Sequence, residues 1–63
     1  MAQERLKAWA RDHDVSDADI MLVLGLTSIN QFRNRMNGIT PLSPLERRAL
    51  VEYTGLAEED LKH

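Results

Sequence analysis

The chain has 63 residues, 43% of them apolar and 29% charged, with no cysteine and ten acidic against eight basic side chains for a net charge of −2. A chain of this size hides only about 60% of the surface its unfolded form exposes. Small domains often compensate with disulfides or a metal, but zero cysteines and only His13 and His63 as soft ligands exclude both routes. What remains is compact helix packing helped by self-association. Taken alone, the net acidity argues against a nucleic-acid binder, since such domains are usually basic.

The longest apolar run, Ile20 to Leu26, covers seven residues and contains Gly25, whereas a membrane-crossing helix needs about 20. The start, Met-Ala-Gln-Glu-Arg-Leu-Lys, lacks the apolar stretch of a signal peptide, so a cytoplasmic protein without membrane contact is expected. There is no Gly-rich phosphate loop, no Gly-x-Ser-x-Gly elbow and no His-Glu-x-x-His pair. No enzyme, cofactor, metal or small-molecule substrate is therefore expected.

The first predicted helix runs from Ala2 to His13, where Leu6, Trp9 and Ala10 make an apolar stripe at i, i+3 and i+4. Asp12-His13-Asp14 breaks that pattern. A second helix starts at Ser16, whose hydroxyl suits an N-cap, with Asp17 and Asp19 at the positive end of the helix dipole. Ile20, Val23 and Leu24 continue its apolar face to Gly25, which closes it in the left-handed conformation. Ser28-Ile29-Asn30-Gln31 reads as a capping box opening a third helix that carries Phe32 and Met36 on one face and stops at Asn37-Gly38.

Ser43-Pro44-Leu45-Glu46 is the strongest helix start in the chain, with serine at N-cap, proline at N1 and glutamate at N3. Leu45, Ala49, Leu50 and Tyr53 form the stripe of this fourth helix, and Gly55 ends it. A last helical turn, Ala57 to Lys62, tucks Leu56 and Leu61 inward. With no convincing strand, the expected architecture is an all-α, compact five-helix bundle forming one domain.

The third helix carries Asn30, Gln31, Arg33, Asn34, Arg35 and Asn37 outside its core positions and no carboxylate. Arginine pairs in bidentate fashion with guanine edges, and asparagine or glutamine with adenine. The charge is also unevenly placed. Residues 1–27 hold three bases and five acids, for −2; residues 28–48 hold four arginines against Glu46, for +3; residues 49–63 hold Lys62 against four acids, for −3. The basic segment therefore coincides with the third helix and the start of the fourth.

In their order and spacing these motifs resemble the lambda-repressor-like, Cro/XRE-type helix-turn-helix domains of small phage and bacterial repressors, over about residues 4–61. Val15-Ser16-Asp17-Ala18-Asp19-Ile20 through Leu24-Gly25-Leu26-Thr27 is similar to that family's second helix and turn. Phe32-Arg33-Asn34-Arg35-Met36-Asn37-Gly38 resembles the end of its third helix, and Thr54-Gly55-Leu56-Ala57-Glu58-Glu59-Asp60-Leu61 its closing turn. Two features differ: the turn after Gly25 is one residue longer than usual, and Met21-Leu22 stands where a small and then a polar residue is common.

The resemblance implies a DNA-binding transcriptional regulator, a repressor that reads double-stranded DNA as a homodimer. It places Ile29, Asn30, Arg33 and Asn34 toward base edges. Ser16, Asp17, Ser28, Gln31, Asn37, Thr40, Arg47 and Arg48 then face the phosphate backbone, which positions the protein without specifying sequence.

Several residues have plainer roles. Phe32, Met36, Trp9 and Tyr53 are expected in the core, the last with its hydroxyl in solvent, and His13 and His63 at exposed helix ends. The second helix cannot bury all of Ile20 to Leu24 in so small a domain, so Met21 and Leu22 are expected to supply a self-association surface. That apolar run, with the acidic ends, also supports a second reading: a protein-interaction module on the same fold, such as an anti-repressor, an antitoxin-like partner or a DNA mimic.

Overall fold

Four α-helices and one 3-10 turn follow one another along residues 3–61, the part of the chain that the structure, a computed structural model, describes. They are α1 (Glu4–Asp12), α2 (Asp17–Leu24), α3 (Ile29–Met36), α4 (Pro44–Thr54) and the 3-10 turn Glu58–Leu61. Among the described residues there is no strand, so the all-α expectation holds. None of these helices is long and apolar enough to cross a membrane. The expected helix start at Ala2, the end at Lys62 and the placement of His63 lie outside the described residues.

The fifth helix is corrected to a single 3-10 turn. Its stretch is too short to repay helix nucleation. The turn is instead pinned by the Asp60 carboxylate, which accepts from the Ala57 N–H at 3.3 Å, and by burial of Leu61.

Serine starts three of the helices, in two different ways. At α4 the Ser43 hydroxyl accepts from the Glu46 N–H at 3.1 Å while the Glu46 carboxylate accepts from the Ser43 N–H at 2.8 Å. Ser16 and Asp19 form the same reciprocal pair at α2, both bonds at 3.3 Å, so Asp19 caps as well as complementing the dipole. At α3 the Ser28 hydroxyl accepts from the Gln31 N–H at 3.5 Å and nothing returns to the Ser28 N–H, so the expected capping box there is one-sided. A neutral amide oxygen is a weaker acceptor than a carboxylate, and Gln31 stays in solvent.

Gly25 ends α2 at φ 73°, with its N–H donating to the Leu22 carbonyl and the Leu26 N–H to that of Met21, a Schellman closure. Met21 and Leu26, the residues this closure joins, both pack against the core. The bulk of Met21 is thus absorbed at the turn.

Four aliphatic side chains are fully buried: Leu6 from α1, Ile20 from α2, Leu50 from α4 and Leu61 from the 3-10 turn. Ala10, Phe32, Met36 and Leu42 complete the core, with Trp9, Val15, Val23, Leu24, Val51 and Leu56 packed around it. α2 and α4 approach each other most closely, and α1 and α4 both close on the 3-10 turn. Gln3, buried and with a left-handed backbone (φ 58°), donates from its side-chain amide to the Leu61 carbonyl at 2.9 Å, so the two ends of the described chain are tied together.

Two expected core positions are corrected. Leu45 is 77% exposed. At about 100° per residue it lies some 140° around α4 from Leu50, and Leu42, just before the cap, takes the inward place instead. Tyr53 is 45% exposed because it covers Trp9 edge-on, ring centroids 5.6 Å apart, rather than entering the core. The other face of that small surface stack is His13, 4.4 Å from the Trp9 ring and bonded through Nδ1 to the Trp9 carbonyl at 2.9 Å.

Two substitutions separate backbone from packing effects in urea denaturation. A Cβ on Gly25 meets no atom within 4 Å, so Gly25→Ala is expected to lose only the left-handed backbone penalty, about 1–2 kcal/mol. Leu50→Ala empties a fully buried site and is expected to cost about 2–5 kcal/mol.

Candidate nucleic-acid interface

Phe32 and Met36 fasten α3 to the core, and their four-residue spacing puts both on one side of the helix. At about 100° per residue the side opposite them is formed by Asn30, Asn34 and Asn37. Ile29 and Arg33 stand on one flank, and Gln31 and Arg35 on the other. Asn30, Arg33 and Asn37 are exposed, Ile29 is 44% exposed and Asn34 is half-buried. The Asn34 carbonyl also receives the Ile39 and Thr40 N–H groups as the chain turns away from α3. The four residues expected at base edges therefore share one side of α3 with unequal access, Asn30 and Arg33 exposed, Ile29 close to the buried stripe and Asn34 half-buried, and α3 itself carries no carboxylate.

The arginines divide into two kinds. Arg35 Nε donates to Glu46 Oε2 at 2.8 Å and its Nη1 to the Gln31 carbonyl at 3.1 Å. Arg47 donates from Nη1 to the Leu42 carbonyl at 2.7 Å and from Nε to Glu58 at 3.3 Å. Glu58 is a surface partner, its side chain 62% exposed. Arg33 and Arg48 are exposed and have no partner among the described residues. The +3 of residues 28–48 therefore reduces to two unpartnered guanidinium groups, because one arginine is balanced by Glu46 and another by Glu58.

The residues expected at the phosphate backbone do not form one surface. Ser28, Gln31, Asn37 and Thr40 lie on or beside α3, with Ser28 and Thr40 half-buried. Arg48 points away from the Leu50 side of α4, about 160° around the helix, while Arg47 is turned inward to Leu42. At the start of α2 the Ser16 N–H is already taken by Asp19, and the exposed carboxylates of Asp17 and Asp19 oppose an approaching phosphate. Of the expected self-association pair, Leu22 is 78% exposed, whereas Met21 is half-buried against the core.

The tie between Arg35 and Glu46 escaped the sequence, in which Glu46 reads only as a cap residue. Its two carboxylate oxygens serve both tasks at once. The described residues enclose no pocket, and no three of their His, Asp or Glu side chains gather to hold a metal ion. Comparison with protein-family models, with curated proteins and with solved structures finds no match for the chain.

The two neighbouring arginines of α4 are expected to behave oppositely in thermal or urea unfolding. Arg47→Ala loses a charged hydrogen bond to the Leu42 carbonyl and costs about 1–3 kcal/mol. Arg48→Ala, which touches no partner, stays within about 0.5 kcal/mol of the parent.

Proposed function

We propose that this chain is a sequence-specific DNA-binding regulator of the helix-turn-helix kind, with α3 as the helix that enters the major groove. The observation that carries the proposal is the outward surface of α3. It presents Ile29, Asn30, Arg33 and Asn34 with no carboxylate among them, on a helix that follows α2 across the short turn at Gly25. In helix-turn-helix proteins the second helix of such a pair reads base edges and the first crosses the DNA backbone. Arg33 has its guanidinium free for guanine, and Asn30 and Asn34 suit adenine. Ser28, Gln31, Asn37 and Thr40, around the same helix, then face phosphates, with Arg48 supplementing them. Among the remaining backbone positions, Ser16, Asp17 and Arg47 have the least support, for the electrostatic and bonding reasons given above.

With only two unpartnered arginines in the segment from residue 28 to 48, attraction of the α3 side to phosphate is weak, and a repressor of this kind works as a homodimer. Two copies would read half-sites about 34–36 Å apart, one turn of the duplex, and Leu22 offers an apolar contact for pairing. The second reading, a protein-interaction module, is favoured by the exposure of Leu22, Ile39 and Leu45 together with the acidic balance.

Selection from a randomised duplex library, followed by salt titration, separates the two. A regulator is expected to yield a preferred site, with log K against log salt no steeper than about −4 for a pair, given roughly 0.9 per neutralised phosphate. Arg33→Ala should then cost about 1–3 kcal/mol at particular base pairs and relax preference there. Absence of any preferred site at low salt would favour the interaction module. In sedimentation at high concentration, Leu22→Asp is expected to shift the chain toward monomer. An unchanged monomer in both parent and variant would refute pairing through α2.

A further inference from the structure

Among the described residues, the Arg35–Glu46 contact is the one hydrogen bond that joins α3 to another helix. It is well sheltered, with the two side chains 19% and 12% exposed. The α3 backbone does not approach any other helix as closely as α2 approaches α4. Its apolar attachments, Phe32 and Met36, form one narrow stripe, about 6 Å apart along the axis at 1.5 Å rise per residue and only about 40° apart around it. Two anchors on so narrow a stripe resist translation but leave the helix able to roll about it. Arg35 projects from a flank, off that stripe, and its partner is itself held at the start of α4. Glu46 Oε1 is held by the Ser43 N–H at 2.8 Å while Oε2 receives Arg35. Arg35 is further braced by its own bond to the Gln31 carbonyl.

We propose that Arg35 and Glu46 are positioning residues that set the roll of α3, and so decide which of Asn30, Arg33 and Asn34 meet base edges. This deepens the proposal that α3 reads DNA and rests on it for its functional consequence. Arg35 on this view does not touch phosphate. Two of its three side-chain nitrogens are committed inside the protein. The start of α4 serves as the reference against which α3 is aimed, because one carboxylate both caps α4 and holds the arginine. A roll error moves every outward side chain of α3 together. Selectivity should therefore fall across the whole site rather than at one base pair.

The test uses the full chain with Glu46→Gln, which retains an oxygen for the Ser43 N–H but removes the charge facing Arg35, and Arg35→Lys, which keeps the charge but cannot serve Glu46 and Gln31 in the same fork geometry. Residual dipolar couplings of backbone amides report the orientation of α3 relative to α1, α2 and α4 without any DNA. The expected result is a changed orientation of α3 in both variants with the other three helices unaltered. An α3 orientation identical to the parent in either folded variant overturns the proposal. Should one variant fail to fold, the other carries the same measurement.

On DNA, the ratio of preferred to scrambled-site affinity is expected to fall at least about tenfold in each variant, with the salt slope unchanged. A direct phosphate contact would instead make Arg35→Gln lower the salt slope by about one while Glu46→Gln kept its selectivity, and that outcome also overturns it. If the parent chain has no preferred site, the DNA-binding proposal fails while the couplings still decide whether this pair aims α3.

Discussion

Leu6, Ile20, Leu50 and Leu61 meet at the centre of the molecule, one from each of α1, α2, α4 and the 3-10 turn, and everything else is arranged around that contact. A chain this short has no second core to fall back on, and each of these side chains contributes roughly 1.5–3 kcal/mol by leaving water. Placing Leu61 there draws the last described turn under α1, where Gln3 bonds its carbonyl. Placing Ile20 and Leu50 there brings α2 and α4 together as the tightest helix pair. α3 is the one helix absent from this fully buried set. It joins through Phe32 and Met36 at the margin, which leaves Asn30, Gln31, Arg33 and Asn37 exposed.

That division of labour explains how an acidic protein can carry a helix surface free of carboxylates, the feature on which the proposed function rests. Four arginines fall in the segment from residue 28 to 48, but their fates differ. Arg35 and Arg47 each reach across eleven residues to a carboxylate and also grip a backbone carbonyl, so they act inside the fold. Arg33 and Arg48 remain outside. Charge counted along a segment therefore overstates the field a ligand would feel. The proposed function accordingly requires directed hydrogen bonds from α3 to bases rather than attraction to a uniform polyanion.

Local chemistry was legible wherever a residue acts on its sequence neighbours. Ser43-Pro44-Leu45-Glu46 specified the start of α4, and Gly25 and Gly55 specified two left-handed helix ends, because caps and turns are settled within four or five residues. The same local reasoning misjudged Leu45. An apolar residue in the first turn of an amphipathic helix looks inward until the position of the neighbouring helices is known, and Leu42 in the preceding loop took that place. The burial of Gln3 was equally hidden, since its partner is 58 residues away. The candidate site was half legible. The polar, carboxylate-free surface of α3 follows from composition and helical spacing, whereas the binding of Arg35 by Glu46 follows only from where α4 lies.

The sequence by itself determined the all-α class, the places of the four α-helices along the chain, the apolar pair that anchors α3 and the polar set it turns outward. Each of those depends on spacing along one helix or on a cap at its end. Tertiary structure alone decided that the last segment is a 3-10 turn and that Tyr53 covers Trp9 at the surface. It also decided which arginines are free and how a single carboxylate links two helices. These outcomes turn on distances between elements far apart in the chain. Such distances are set by how four aliphatic side chains fill one small volume, and no local pattern encodes them.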